Sequence, residues 1–103
     1  MTYNVVSSGR ARKNILEITE YITVNLDSHE AARKLLISLN KQMNSLDTMP
    51  KRFALVSNEK LAKKGIRSIP VKNYLIFYVV DEQSKTVNIV SVMYSKRDWL
   101  NLL

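Results

Sequence analysis

A chain of 103 residues is long enough to close one hydrophobic core and too short to divide, so a single domain spanning 1–103 is expected. Hydrophobic residues at 46% and charged residues at 24% are the balance of a soluble globular protein, which sets aside disordered and membrane classes. Sixteen Lys and Arg against nine Asp and Glu leave a net charge of +7, suited to a polyanion or an acidic protein segment, and with no cysteine there can be no disulfide, thiolate metal site or cysteine nucleophile.

Residues 3–7 read as a short first strand, ended by Ser7-Ser8-Gly9. Ala11, Ile15, Ile18 and Ile22 then recur at spacings of four, three and four, which places one apolar stripe on a helix. The run Asn25-Leu26-Asp27-Ser28 breaks that pattern, and Ser28 or Asp27 can cap a second helix by accepting a backbone N–H. Its stripe is Ala32, Leu35, Leu36, Leu39, Met43 and Leu46, and Pro50 closes it. Two amphipathic helices joined by so short a turn form an antiparallel hairpin. From Phe53 the period changes to that of strands, at 53–56, 66–71, 74–80 and 86–94, with turns at Lys72-Asn73 and 81–85. Short connections make these strands antiparallel. A further helical turn or two is expected in the tail, from Ser95 through Asp98, Trp99 and Leu103.

The predicted architecture is therefore α+β: an antiparallel sheet of about four strands with an N-terminal helical hairpin across one face, in the order β-α-α-β-β-β. Strand 74–80 is apolar on both sides, with Tyr74, Ile76, Tyr78 and Val80 pointing one way and Leu75, Phe77 and Val79 the other, so it belongs in the centre. The hairpin covers one side; the chain's own tail or a second protein must cover the other. The N-terminus lacks the apolar region of a secretion signal and no apolar run spans a bilayer, so a cytoplasmic protein without a membrane role is expected.

No glycine-rich phosphate loop is possible with glycines only at Gly9 and Gly65, and one histidine cannot make a paired-histidine metal site. Neither a metal nor another cofactor is expected, and His29 reads as a surface residue at a helix start. What remains is cationic and aromatic: Lys60, Lys63, Lys64 and Arg67, then Tyr74 and Tyr78, then Tyr94, Lys96 and Arg97. Charge is concentrated in that half, since residues 51–103 carry ten basic and four acidic groups against six and five in residues 1–50. Lys and Arg neutralise phosphates and rings stack on bases, so such a set suits a nucleic acid. It also has the groups for metal-free RNA cleavage, with cations holding the phosphorane-like charge and a tyrosine or lysine moving protons. The bland alternative is a solvated lysine loop and a core aromatic at Tyr78.

Order and local strings together resemble the RelE/ParE superfamily of toxins from type II toxin-antitoxin modules. The resemblance is carried by Tyr3-Asn4-Val5-Val6-Ser7-Ser8 with Ala11, by Ile15-Leu16-Glu17-Ile18 and Tyr21-Ile22, by Ala31-Ala32, and by Leu46 through Met49-Pro50. In the second half it is carried by Gly65-Ile66-Arg67, Asn73-Tyr74-Leu75-Ile76-Phe77-Tyr78 and Val92 through Arg97-Asp98. It covers nearly the whole chain and implies a growth-inhibiting toxin of a plasmid or chromosomal stabilisation module, held inactive in a hetero-oligomer by a cognate antitoxin. Tyr74, Ile76 and Tyr78 would contact that antitoxin.

Within the superfamily the chain is more similar to the ParE branch, whose members act on DNA gyrase, than to the RelE branch, whose members cut messenger RNA on the ribosome. RNA-cutting members commonly carry an arginine after the aromatic residue of the third strand, where this chain has Leu75, and their C-terminal catalytic groups are poorly matched. Tyr94-Ser95-Lys96-Arg97-Asp98 looks like the ParE ending in which an aromatic or histidine precedes Arg-Asp, although histidine is commoner there than Tyr94. A gyrase poison would present Lys63, Lys64, Arg67, Lys96, Arg97 and Trp99 to its target. A RelE-like mRNA endonuclease would use Arg67, Tyr94, Lys96 and Arg97 as phosphate clamps and proton carriers, and a non-toxic basic RNA-binding protein is the third possibility.

Overall fold

Residues 2–96 are described by the computed structural model, and their order follows the expected plan. β1 (Asn4–Ser7) leads through Ser8 into α1 (Gly9–Val24). The Ser8 hydroxyl accepts the Ala11 N–H at 3.0 Å and donates to the Val90 carbonyl at 2.9 Å, so one side chain caps the helix and ties it to the sheet. Of the two candidates for the second cap, Ser28 serves, accepting the Ala31 N–H at 3.1 Å, while Asp27 turns the chain in the left-handed region at φ 49°. α2 (His29–Asn44) buries Ala32, Leu35, Leu39 and Met43, and a following 3-10 turn (Ser45–Asp47) buries Leu46. Leu36, expected on the same stripe, lies on its exposed flank.

β2 (Ile66–Val71), β3 (Tyr74–Asp81) and β4 (Thr86–Tyr94) pair antiparallel as expected, and β1 joins the far side of β4 in parallel, giving a mixed sheet in the order β1-β4-β3-β2. Connectivity explains the parallel pair. The hairpin runs out and back, and the Tyr3 N–H bonds the Asp47 carbonyl at 2.8 Å, so the chain returns to the end of the sheet where β1 began. β2 departs from that end, and two hairpins later β4 runs the same way as β1. Residue Val90 is an extra residue in β4, because Phe77 faces Ser91 while Tyr78 faces Ile89. Asn14 of α1 braces this bulge: its Oδ1 accepts the Ser91 hydroxyl at 2.7 Å and the Val92 N–H at 3.1 Å.

The expected strand at 53–56 is reduced to one bridge, Leu55 with Arg67, plus a Val56 N–H to Ile66 carbonyl bond at 3.0 Å. Phe53 packs with the hairpin core and Val56 with the opposite cluster, so this segment passes around the edge of β2 and cannot lie flat along it. Beyond it stands a short helix the periodicity did not reveal, α3 (Glu59–Lys63), capped by Asn58 Oδ1 on the Leu61 N–H at 3.0 Å.

Two apolar layers sandwich the sheet. On the hairpin side Ile69, Val71, Ile76, Tyr78, Val87, Ile89 and Val92 meet Leu35, Leu39, Met43 and Leu46. On the other, Ile66, Phe77 and Met93 meet Leu61 and Val56, with Leu75, Val79 and Val90 only half-buried. Such double-sided burial is what the all-apolar pattern of β3 predicts for a central strand.

Candidate functional site

Arg67 pairs across the sheet with Tyr78, so both side chains lie on the hairpin side. The guanidinium donates from Nη1 to the Phe53 carbonyl at 2.7 Å and to the Lys51 carbonyl at 3.4 Å. The Tyr78 hydroxyl, fully buried, donates to the Pro50 carbonyl at 2.7 Å. Burial pushes the Tyr78 phenol above its ordinary range, against the opposing pull of Arg67 and Arg52. Arg52 itself donates to the Ser45, Thr48 and Met49 carbonyls and stacks over Phe53 at 4.9 Å. These groups bind the 45–53 crossover to the sheet. A phenol that is buried, neutral and committed to a carbonyl is a core fastener, and Arg67 beside it is a loop clamp.

Tyr94 and Lys96 sit at the other end. Tyr94 pairs with Tyr74, four residues along β3 from Tyr78, which sets Arg67 and Tyr94 about 14 Å apart along the strand direction alone. The fold therefore separates Arg67 from Tyr94 and Lys96, the three described members of the suggested RNA-cleaving set; Arg97 and Trp99 lie outside the described residues. Of the residues suggested for antitoxin contact, Ile76 and Tyr78 are fully covered by the hairpin, and only Tyr74 reaches a cavity. That cavity, of about 600 Å³, opens between α1 and the β2–β3 turn and is lined by Glu17, Tyr21, Tyr74 and Tyr94 among others. Tyr74 and Tyr94 meet edge to face at 5.8 Å and 71°, and burial followed by the neighbouring Tyr94 and Tyr21 raises the Tyr74 phenol above its usual value. Tyr21 of α1 enters the sequence analysis only through the resemblance and not as a site residue; its place one helical turn after Glu17 is the available signal.

The sheet face away from the hairpin has a different character. Arg67 is the only Lys or Arg within the four strands, and it points to the hairpin side, so no strand contributes a cation to that face. Leu75, in the position where RNA-cutting relatives would be expected to carry an arginine, lies there half-buried with Val79 and Val90. α3 borders it through Leu61, and Lys60, Lys63 and Lys64 are exposed along that border. His29 is exposed at the start of α2. Among the described residues no cluster of His, Asp and Glu could hold a metal ion, and no helix is long and apolar enough to cross a membrane.

The family model for the ParE toxin of the type II toxin-antitoxin system parDE matches residues 5–99. The chain belongs to the ParE toxin family. It is thus the toxin component of a type II module within the RelE/ParE superfamily. Solved structures agree on the fold. The chromosomal ParDE system from P. aeruginosa superposes with a TM-score of 0.75 at 16% identity, over 92% of this chain and 98% of that one. Escherichia coli RelE, as a mutant in the free state, gives 0.65 at 16% identity over 99% and 93%. The RelBE toxin-antitoxin complex from Mycobacterium tuberculosis gives 0.61 at 19% over 91% and 99%. No curated protein sequence matches the toxin significantly.

Proposed function

We propose that this toxin acts by binding and poisoning DNA gyrase in the cytoplasm, as its resemblance to the ParE branch implies, and that a cognate antitoxin silences it by direct association. The supporting observation is the disposition of cations. Metal-free RNA cleavage needs positive groups converging within hydrogen-bond reach of one phosphate, with a proton carrier beside them. Here the sole strand cation, Arg67, is engaged by backbone carbonyls on the hairpin side, and Tyr94 and Lys96 stand at the opposite end. The face without cations is instead a half-buried apolar strip bordered by the lysines of α3, an arrangement suited to a protein surface that carries acidic groups.

Purified toxin added to gyrase and relaxed plasmid tests this. Supercoiling is expected to fall with toxin concentration and cleaved plasmid to accumulate. Unchanged supercoiling, together with codon-phased cuts in translated messages by primer extension, would replace this reading by the ribosomal one. Antitoxin association is tested by co-expressing the protein encoded beside the toxin and asking whether the two purify together and growth resumes.

A further inference from the structure

The cavity at the β2–β3 turn end has the makings of an aromatic cage. Tyr74 and Tyr94 stand at 71° with their centroids 5.8 Å apart, forming two walls of a corner, and Tyr21, 54% exposed on α1, faces the same space. Glu17 lies one turn before Tyr21 on the same helix and is the only formally charged residue among the described residues lining the cavity. It has no ion-pair partner among the described residues, whereas Glu30, at the adjoining hollow, is already engaged by Arg33 at 2.9 Å and Lys34 at 3.8 Å. Ile18 and Met93 supply apolar lining.

Ring faces are negative and attract a cation, more strongly when water is displaced, and an open carboxylate beside them selects for positive charge. The same carboxylate repels a phosphate, which counts against a nucleotide stacked on these rings. A cavity of about 600 Å³ accommodates a whole side chain with its aliphatic stem along Ile18 and Met93. On a chain of net charge +7 this is a local site of the opposite preference.

We propose that this three-tyrosine cavity, with Glu17 as counter-charge, receives an arginine or lysine side chain from the antitoxin and serves as an anchor of the toxin-antitoxin interface. The proposal rests on the antitoxin reading given above. It assigns the partner a basic side chain flanked by apolar residues, held within a segment that passes the end of the helical hairpin.

Blocked heptapeptides of alanine and leucine with a central arginine, or with its uncharged isostere citrulline, are titrated into the purified full-length toxin and followed by tyrosine-ring NMR and calorimetry. The arginine peptide is expected to shift the rings of Tyr21, Tyr74 and Tyr94 and to bind about ten-fold tighter than the citrulline peptide. Glu17→Gln or Tyr94→Leu should each erase most of that difference, while the circular dichroism spectrum stays unchanged. Equal binding of the two peptides, binding untouched by both substitutions, or ring shifts produced by oligothymidylate in place of the peptide would overturn it. With the cognate antitoxin, the same two substitutions should weaken the complex about ten-fold. If the antitoxin binds all variants alike, the cage falls and the antitoxin reading stands; if the neighbouring gene's product binds no form of the toxin, that reading falls whatever the peptides do.

Discussion

Replacing Tyr78 by Phe separates the two roles its sequence position allowed. The ring is fully buried and would stay in place, so the change removes only the oxygen and its 2.7 Å bond to the Pro50 carbonyl. Pro50 is buried as well, and its carbonyl would be left without that donor. Losing one partner of a buried hydrogen bond costs on the order of 1–3 kcal/mol, most of it the penalty on the group left behind. For a domain of this size a loss near 1.5 kcal/mol lowers Tm by roughly 6–12 °C. Urea unfolding followed by circular dichroism should show a lower midpoint with an unchanged slope, since the exposed surface hardly alters. On the proposed gyrase reading, the variant below its melting temperature should inhibit the enzyme to the same extent as the parent, molecule for molecule. A Y78F protein with parental Tm and abolished toxicity would refute the argument, because it would make the hydroxyl a chemical group and not a fastener.

Three other outcomes follow from the same packing. Leu39→Ala, at a fully buried position between helix and sheet, should cost about 3 kcal/mol by chemical denaturation. Lys60→Ala, Lys63→Ala and Lys64→Ala combined should leave Tm nearly unchanged, as exposed positions usually do, yet weaken gyrase inhibition, an effect that should shrink further as salt is raised. Glu82 accepts from Lys85 at 3.0 Å and from the Tyr3 hydroxyl at 3.0 Å, and lies 3.2 Å from Lys51, and these partners depress its pKa to about 2. A depressed carboxylate contributes stability that is fully present above its unfolded value, near 4.5, and is lost as pH falls through about 2. Glu82→Gln should therefore melt lower than the parent at pH 7 and converge with it on acidification to about pH 2; a difference independent of pH would count against the charged cluster.

The hairpin, its stripes and the two tight turns were legible because each rests on a period or a cap within a few residues of sequence. Where the structure departs from the sequence expectation, the causes are physical. Residues 53–56 look like a strand by composition, but Phe53 and Val56 belong to opposite sides of the sheet, a demand that arises only once β2 is in place. α3 has five residues, too few to display a period, although Asn58, the acidic Glu59 and Gly65 at φ 81° spelled out its ends. Arg67 follows a run of lysines in the sequence, yet alternation sets it level with Ile69 and Val71, both core residues on the hairpin side. Ile76 and Tyr78, expected at a partner contact, lie buried under the hairpin, which is long enough to cover β3.

That reassignment changes what the net charge means. Among the described residues of the C-terminal half, Arg52 and Arg67 serve backbone carbonyls of the 45–53 crossover, and Lys51 and Lys85 converge on Glu82. Four of the basic groups that suggested a polyanion thus hold one end of the sheet together. The cations not so occupied do not share a point: Lys60, Lys63 and Lys64 lie on or at the end of α3 beside the apolar strip, Lys72 lies in the β2–β3 turn by the hollow on the hairpin side, and Lys96 follows β4. Cations that converge on a point can stabilise one phosphoryl transition state, whereas dispersed cations, three of them beside an apolar strip, favour a broad surface with acidic groups at its rim. On the gyrase reading proposed above, the charge count of this toxin is a guide to the kind of surface it meets.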